Sequence, residues 1–551
     1  MFSYNNRAGV LILVACMASG VLWTRGLGLK IPRPVAALPL SRAWLLGALI
    51  VVAFGCCGMY LKAVHNGGHN ESDYQIERVW LLSQGKVPYA DFEFAYGPLL
   101  LYGPMFLNRL FSLDVAEAYY AFWAGSWLLG TFFLFHVIDR SNYPTSAKPS
   151  IFLTLFFAGA IGIMSMGTNY SLFRFAFPLF LIAKFQNLTR PLSSAVISAA
   201  LAAGSTLILL LISPETAIAF SFAAVFLFSI FLLRSRNAGA DRARWTSICL
   251  LLGALTVEFW IAHKLHMLDT LISDGSGADS FPIFIAPVIL LYIGTAFVCS
   301  CVLYRRIAEG ELTDSNIGFI SFSIPMIPAV LGRCDPAHIF WNGLGMFLAS
   351  MFYISNYAIA WKRYRLWFLL LLVVIPWVTL MPLSWVARKS PATARELQRS
   401  EATDPLLLDK LYPSWHGGFF APFGFVPSGR WTVLSPRIDY GHFDAFVNHN
   451  SVESIQETIH EIDGDPQRAL ILSSGFENHC ETNPLGQQVV MSMLFGFPYF
   501  GRAVHTQSVR KPLCDYILAH YVISQPPNAL NYNYGLWTRG GVPQARKTLF
   551  P

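Results

Sequence analysis

Charge is scarce in this sequence. Asp, Glu, Lys and Arg make up only 13% of its 551 residues, where an ordinary soluble chain carries about a quarter. No CxxC pair occurs among its nine cysteines, and none stands at a zinc-like spacing to histidine. That excludes the common zinc modules and a thioredoxin-like redox motif. Cys16, Cys56, Cys57, Cys249, Cys299 and Cys301 lie in apolar segments and read as small lipophilic residues. A basic block is lacking too. The net charge of +7 is dispersed over short loops between apolar runs, where cations fix membrane orientation. No nucleic-acid partner is expected.

What is there is apolar: 54% hydrophobic residues, 15% aromatics, 44 Phe and 15 Trp. Runs such as AWLLGALIVVAFGCCGMYLKA (43–63) are long enough to cross a hydrocarbon core of about 30 Å. Twelve candidate spans emerge: 8–24, 43–63, 115–137, 149–166, 170–186, 193–213, 216–233, 246–266, 281–304, 316–331, 338–361 and 366–386. The segment 99–112 is shorter and broken by Gly and Pro, which suits a re-entrant or interfacial helix. The expected fold is an α-helical polytopic membrane protein with about twelve transmembrane helices, whose first partner is the lipid bilayer.

Orientation follows from the cations. Linkers 25–42 and 234–245, the pair Arg305–Arg306 and the group Lys362, Arg363 and Arg365 all fall on one side when spans are counted. The positive-inside rule makes that side cytoplasmic. Loop 269–280 on the other side has no cation. A signal peptide at 8–24 is the rival reading, but it would place the basic linker outside. The chain thus divides into an N-terminal span with a basic cytoplasmic linker (1–42), a transmembrane domain with an outer loop at 64–98 (43–386), and a region without long apolar runs (387–551). The last reads as a soluble extracytoplasmic α/β domain. VESIQETIHEI (452–462) has helical spacing, RALILSSG (468–475) reads as a buried strand, and DYILAHYVIS (515–524) as another. An oxidising compartment would let Cys480 and Cys514 pair.

The outer loop is unusual. It gathers Glu71, Asp73, Glu77, Asp91 and Glu93 within twenty-three residues and interleaves them with Tyr74, Trp80, Tyr89, Phe92, Phe94 and Tyr96. The spacing of Asp73 and Glu77 puts both carboxylates on one helix face. The same topology brings Arg174, Glu215, Arg333, Asp335 and His338 to the outer side, with Glu258, His263, Lys264 and His266 in the central and outer part of their span. Lys264 and His266 have a plainer reading as residues snorkelling at a span end, and Arg333 with Asp335 as a local ion pair. An Arg within a span is costly unless paired. Acids among aromatics suit a sugar, which offers hydroxyls to carboxylates and CH faces to rings. A carboxylate can act as general base on an acceptor hydroxyl, and Arg or Lys at membrane depth can hold the phosphate of a lipid-linked donor.

The stretch LLSQGKVPYADFEFAYGPLLLY (81–102) resembles the integral-membrane GT-C glycosyltransferases, in the bacterial branch of protein-mannosyltransferase-like and aminoarabinose-transferase-like members. Gly85, Pro88, Tyr89, Asp91, Phe92, Gly97, Pro98 and Leu99 carry the likeness, which covers about 43–386. It implies transfer of a sugar from a polyprenyl-phosphate donor to an envelope glycan, lipid or protein acceptor at the extracytoplasmic face of the inner membrane. Glu71 and Asp73 are the implied catalytic acids, with Glu77, Asp91 and Glu93 behind them. Arg174, Arg333, His338, Lys264, Tyr89 and Tyr96 are the residues for donor phosphate and substrate. One departure matters: Asn70 stands where the family usually has Asp, so the base must be Glu71 or Asp73, or transfer has been lost. Some members use a divalent metal and others none, so metal stays open. The competing expectations are a lipid or glycan transporter or flippase, and a degenerate transferase that binds envelope glycan.

Overall fold

The computed structural model describes residues 6–27, 41–66, 70–92, 94, 96–141, 145, 147–163, 167–188, 195–233, 238–265, 267, 287–309, 315–333, 336–360, 407–422, 438–439, 452–474, 476, 504–531 and 533–540. It is mostly helical. Among the described residues, fifteen helices occupy the apolar part: α1 Asn6–Leu27, α2 Arg42–Asn66, α3 Asn70–Ser83, α4 Leu99–Phe111, α5 Val115–Arg140, α6 Lys148–Ile163, α7 Leu172–Leu188, α8 Ala195–Leu210, α9 Pro214–Leu233, α10 Ala238–Lys264, α11 Pro287–Glu309, α12 Ser315–Ser323, α13 Ile327–Arg333, α14 Pro336–Asn342 and α15 Leu344–Ala360. Among the described residues, Val115–Arg140, Trp245–Lys264 and Leu291–Glu309 are long and apolar enough to cross a membrane.

Local chemistry explains several boundaries. α5 opens on a capping box: the Glu117 amide donates to the Asp114 carboxylate at 2.7 Å, and the Asp114 amide to that of Glu117 at 3.4 Å. Two orphan amides are thereby satisfied before a long apolar run begins. α9 starts with Pro at its first position, where the missing N–H costs nothing. Two expected spans are not single helices. The segment 316–331 divides into α12 and α13 around a turn at Ile324–Met326, because Pro325 has no N–H to donate and its ring clashes one turn back. The segment 338–361 divides into α14 and α15 at Gly343. The twelfth expected span, 366–386, lies outside the described residues.

α5 lies at the centre of the packing, against α2, α4 and α7. Gly130 is the point where α7 comes closest: a Cβ there would collide with the backbone of Leu172 and Phe173. Around this crossing sits an aromatic core in which Trp127 meets Trp341 at 6.3 Å and Phe175 stacks on Trp341 at 5.4 Å. Such ring pairs add to the apolar area that they bury.

The polar third of the chain contains a five-stranded sheet of order β2-β1-β3-β5-β4. Its strands are β1 Phe419–Phe420, β2 Ile438–Asp439, β3 Ala469–Ser473, β4 Tyr521–Gln525 and β5 Tyr534–Arg539. β1 runs parallel to β2 and β3, while β5 is antiparallel to β3 and β4. β3 is buried on both faces, as its unbroken apolar run requires. Leu470 and Leu472 pack with Ile455 and Ile517 of α17 (Val452–Gly464) and α18 (Val504–His520). Ala469 and Ile471 pack on the other side with Leu408 and Tyr412, from α16 (Leu407–Leu411) and the residue after it. The expected strand at 515–524 is half right: α18 continues to His520, and only 521–525 is extended. Leu513, Cys514 and Ile517, all buried, form a stripe on one face of α18 that outweighs the aromatic and β-branched content. Cys514 is disulfide-bonded; its expected partner Cys480 lies outside the described residues.

Candidate functional site

One end of the helix bundle collects polar side chains from five separate segments. The loop after α3 turns sharply: the Val87 amide donates to the Asp91 carboxylate at 2.7 Å, and the Asp91 amide to the Val87 carbonyl at 2.8 Å. This leaves Tyr89 at a positive φ of 68°. The Tyr89 hydroxyl donates to the Tyr96 carbonyl at 2.6 Å, and Phe94 packs between the two rings. Burial pushes the Tyr89 phenol well above its usual pKa, so it keeps its proton for that bond. Beyond Tyr96 the loop is pinned to the α8–α9 turn: the Gly97 amide donates to the Ile212 carbonyl at 3.0 Å, and the Leu99 amide to the Leu211 carbonyl at 2.7 Å.

The second contributor is the segment Gly167–Ser171, which joins α6 to α7 and is entirely buried. The Asn169 side-chain amide donates to the Tyr96 hydroxyl at 2.8 Å. Tyr170 meets His338 of α14 through a short bond between its hydroxyl and Nε2, with the rings edge-on at 4.9 Å. The Thr168 amide donates to the Tyr119 hydroxyl at 3.0 Å. Tyr119 in turn packs with Ile76 of α3, which sets the acid-bearing helix beside this segment.

Arg174, in the first turn of α7, is the centre of the site. It is 2% exposed, and its guanidinium carbon lies 4.8 Å from the Tyr96 ring centre and 4.9 Å from that of Phe175. Nη1 donates to the Asn169 carbonyl at 2.5 Å, and Nη2 pairs with Oε1 of Glu215 in the first turn of α9. The aromatic faces and the carboxylate together compensate a charge that would otherwise cost several kcal/mol to bury. Nε of Arg174 and Oε2 of Glu215 are both buried with no hydrogen-bond partner, as are the hydroxyls of Ser171 and Ser213, which precede α7 and α9.

The other expected residues distribute as follows. Glu71 and Asp73 lie on α3, with their side chains outside the described residues, as is that of Arg333 at the end of α13; Glu93 and Asp335 lie outside altogether. Glu77 pairs with its neighbour Arg78 at 3.3 Å. Asp91, exposed, braces its own turn. Lys264 is exposed on the last turn of α10. Glu258 is fully buried earlier in that helix and accepts from Ser221 of α9 at 2.6 Å. The structure therefore brings together Tyr89, Tyr96, Arg174, Glu215 and His338. Asn169, Tyr170 and the two serines join them without having been singled out, although TNYSLFRF, with four polar residues shortly before an Arg in an apolar segment, carried the signal. Among the described residues no group of three His, Cys, Asp or Glu side chains is arranged to hold a metal. The chain matches no protein-family model and no curated protein sequence.

Proposed function

We propose that the chain is a GT-C-like membrane glycosyltransferase, taking a sugar from a polyprenyl-phosphate donor and passing it to an envelope acceptor at the outer face of the bilayer. The observation that carries this reading is the buried Arg174, ringed by Tyr96, Tyr170 and Phe175 and reached by the loop that α3 feeds. In this reading about twelve helices span the inner membrane and 387–551 forms an extracytoplasmic domain. The direction is supported by the cations: α6 begins at Lys148, α5 ends at Arg140 and α9 runs down to the basic linker 234–245. All three lie at the helix ends opposite the site, where the positive-inside rule expects cytoplasm.

The chemistry needs three roles. Glu71 or Asp73 of α3 takes the proton from the acceptor hydroxyl as that oxygen bonds to the sugar's anomeric carbon. The bond from that carbon to the phosphate oxygen breaks, and its electron pair leaves on the phosphate. Arg174 stabilises the anion so formed, while the tyrosine rings offer stacking surface to the sugar. A transporter reading draws on Glu258, because a carboxyl fully buried within a span is a common mark of a translocation path.

The test is transfer by purified protein in lipid, offered a panel of polyprenyl-phosphate sugars and an envelope extract. Product that vanishes in the Glu71→Gln/Asp73→Asn double variant supports the reading. Full activity in that variant sinks the assignment of the base, and absence of product with every donor sinks the reading itself.

A further inference from the structure

The ion pair between Arg174 and Glu215 is incomplete. A guanidinium and a carboxylate usually meet as two parallel forks, each nitrogen facing an oxygen. Here one nitrogen meets one oxygen, and a buried atom of each partner, Nε and Oε2, is left without a hydrogen bond. Orphaned groups of this kind are expensive because they have lost water and gained nothing. Two more buried donors without partners, the hydroxyls of Ser171 and Ser213, lie three residues before Arg174 and two before Glu215 in the chain. Each hydroxyl belongs to the residue that precedes a long helix, α7 or α9, so two positive helix ends flank the same place. The site therefore has more donors than Glu215 can use. A tetrahedral phosphate, with more oxygens than a carboxylate, could take Nε and Nη2 together and keep further oxygens for other donors.

We infer that Glu215 is a placeholder for an anionic ligand: it holds the Arg174 guanidinium in this conformation and is displaced when the phosphate of a polyprenyl-phosphate amphiphile binds there. The inference rests on Arg174 being the phosphate ligand of the proposed transferase. Glu215 is suited to the exchange. Its side chain is 13% exposed against 3% for Arg174, so it can swing towards water while the guanidinium stays held by Asn169 and the two rings. Once released, its carboxylate remains in the first turn of α9, where the helix dipole favours negative charge. Displacement lowers apparent affinity, because only the fraction of molecules with a free guanidinium can bind.

The experiment measures binding of a polyprenyl phosphate, and of the corresponding polyprenol, to the full-length protein in nanodiscs. Wild type, Glu215→Gln, Glu215→Asp and Arg174→Gln are compared, each first checked for a monodisperse, folded state. The expected result is a preference of the wild type for the phosphate, binding about tenfold tighter in Glu215→Gln, and loss of the preference in Arg174→Gln. Glu215→Asp keeps the charge but shortens the reach, so it too should bind more tightly. Tightening in Gln alone would mean only that repulsion had been removed, and would overturn displacement. Equal or weaker binding in both Glu215 variants, with the wild-type preference intact, would make Glu215 a fixed holder of Arg174 and leave the transferase reading standing. A wild type that does not distinguish phosphate from alcohol overturns the phosphate site, and the inference with it.

Discussion

The Asn169 side-chain amide donates to the Tyr96 hydroxyl at 2.8 Å, joining two segments 73 residues apart. The same tyrosine ring forms one wall around Arg174, and its carbonyl accepts from Tyr89. One residue thus ties the aromatic loop to the segment before α7. Tyr96→Phe keeps the wall and removes the acceptor. The expected cost is about 1 kcal/mol of stability, the net worth of one such hydrogen bond, read as a lower midpoint in thermal unfolding of the full chain in lipid. Retention of the wild-type midpoint would show that the bond does not restrain the loop.

Gly97 offers a sharper test of that restraint. A Cβ at this position would strike the backbone of Leu211 and Ile212, the residues to which the loop is hydrogen-bonded. Backbone cannot rotate aside as a side chain can. Gly97→Ala should therefore cost about 1–3 kcal/mol, the usual range for overpacking, and should disturb the Arg174–Glu215 end of the bundle with it. Cross-linking yield between cysteines placed at Leu99 and Leu211 would report the separation; an unchanged yield would count against the close approach.

A pH effect is expected in the sheet region. The Asp463 carboxylate accepts from the Tyr516 hydroxyl and from Arg539 Nη2 at 2.6 Å. The Tyr516 bond, aided by Arg539, holds its pKa below the ordinary aspartate value of 3.8. Because the folded value is the lower one, the stabilisation is complete above about pH 4 and is lost as pH falls through the folded pKa. With Asp463 45% exposed, solvent screens the pair and the effect is small. Asp463→Asn should reduce protection of the β5 amides in hydrogen exchange at neutral pH, after correction for intrinsic rates. The gap from wild type should close below pH 4. A gap that persists into acid would mean that packing, and not charge, is what the substitution disturbs.

Much of this architecture is written locally. Apolar runs longer than a membrane is thick predict helices wherever they occur, and α1, α2 and α5 to α11 are found where those runs lie, because a helix is the form in which an apolar segment satisfies its own backbone. The capping box at Asp114 and Glu117, the proline that opens α9 and the buried run of β3 are legible for the same reason: their partners are within a few residues. Pro325 was legible too, yet its break of the 316–331 span shows that mean hydropathy is blind to a missing N–H. The boundary between α18 and β4 was not readable from composition, since Tyr and Ile occur on both sides of it, as Tyr516 and Ile517 in the helix and Tyr521 and Ile523 in the strand.

The sequence also marked Arg174, Glu215 and His338 as out of place, because a charge or an imidazole among apolar residues has few bland explanations. Only the tertiary structure decided their company. It paired Arg174 with Glu215, His338 with Tyr170 and Asn169 with Tyr96, and it left Lys264 exposed on the last turn of α10. It also showed the Asp91 carboxylate accepting from the Val87 amide of its own turn. Such pairings span 41 to 168 residues of chain and are set by which helix ends meet, a matter of packing that no local pattern encodes.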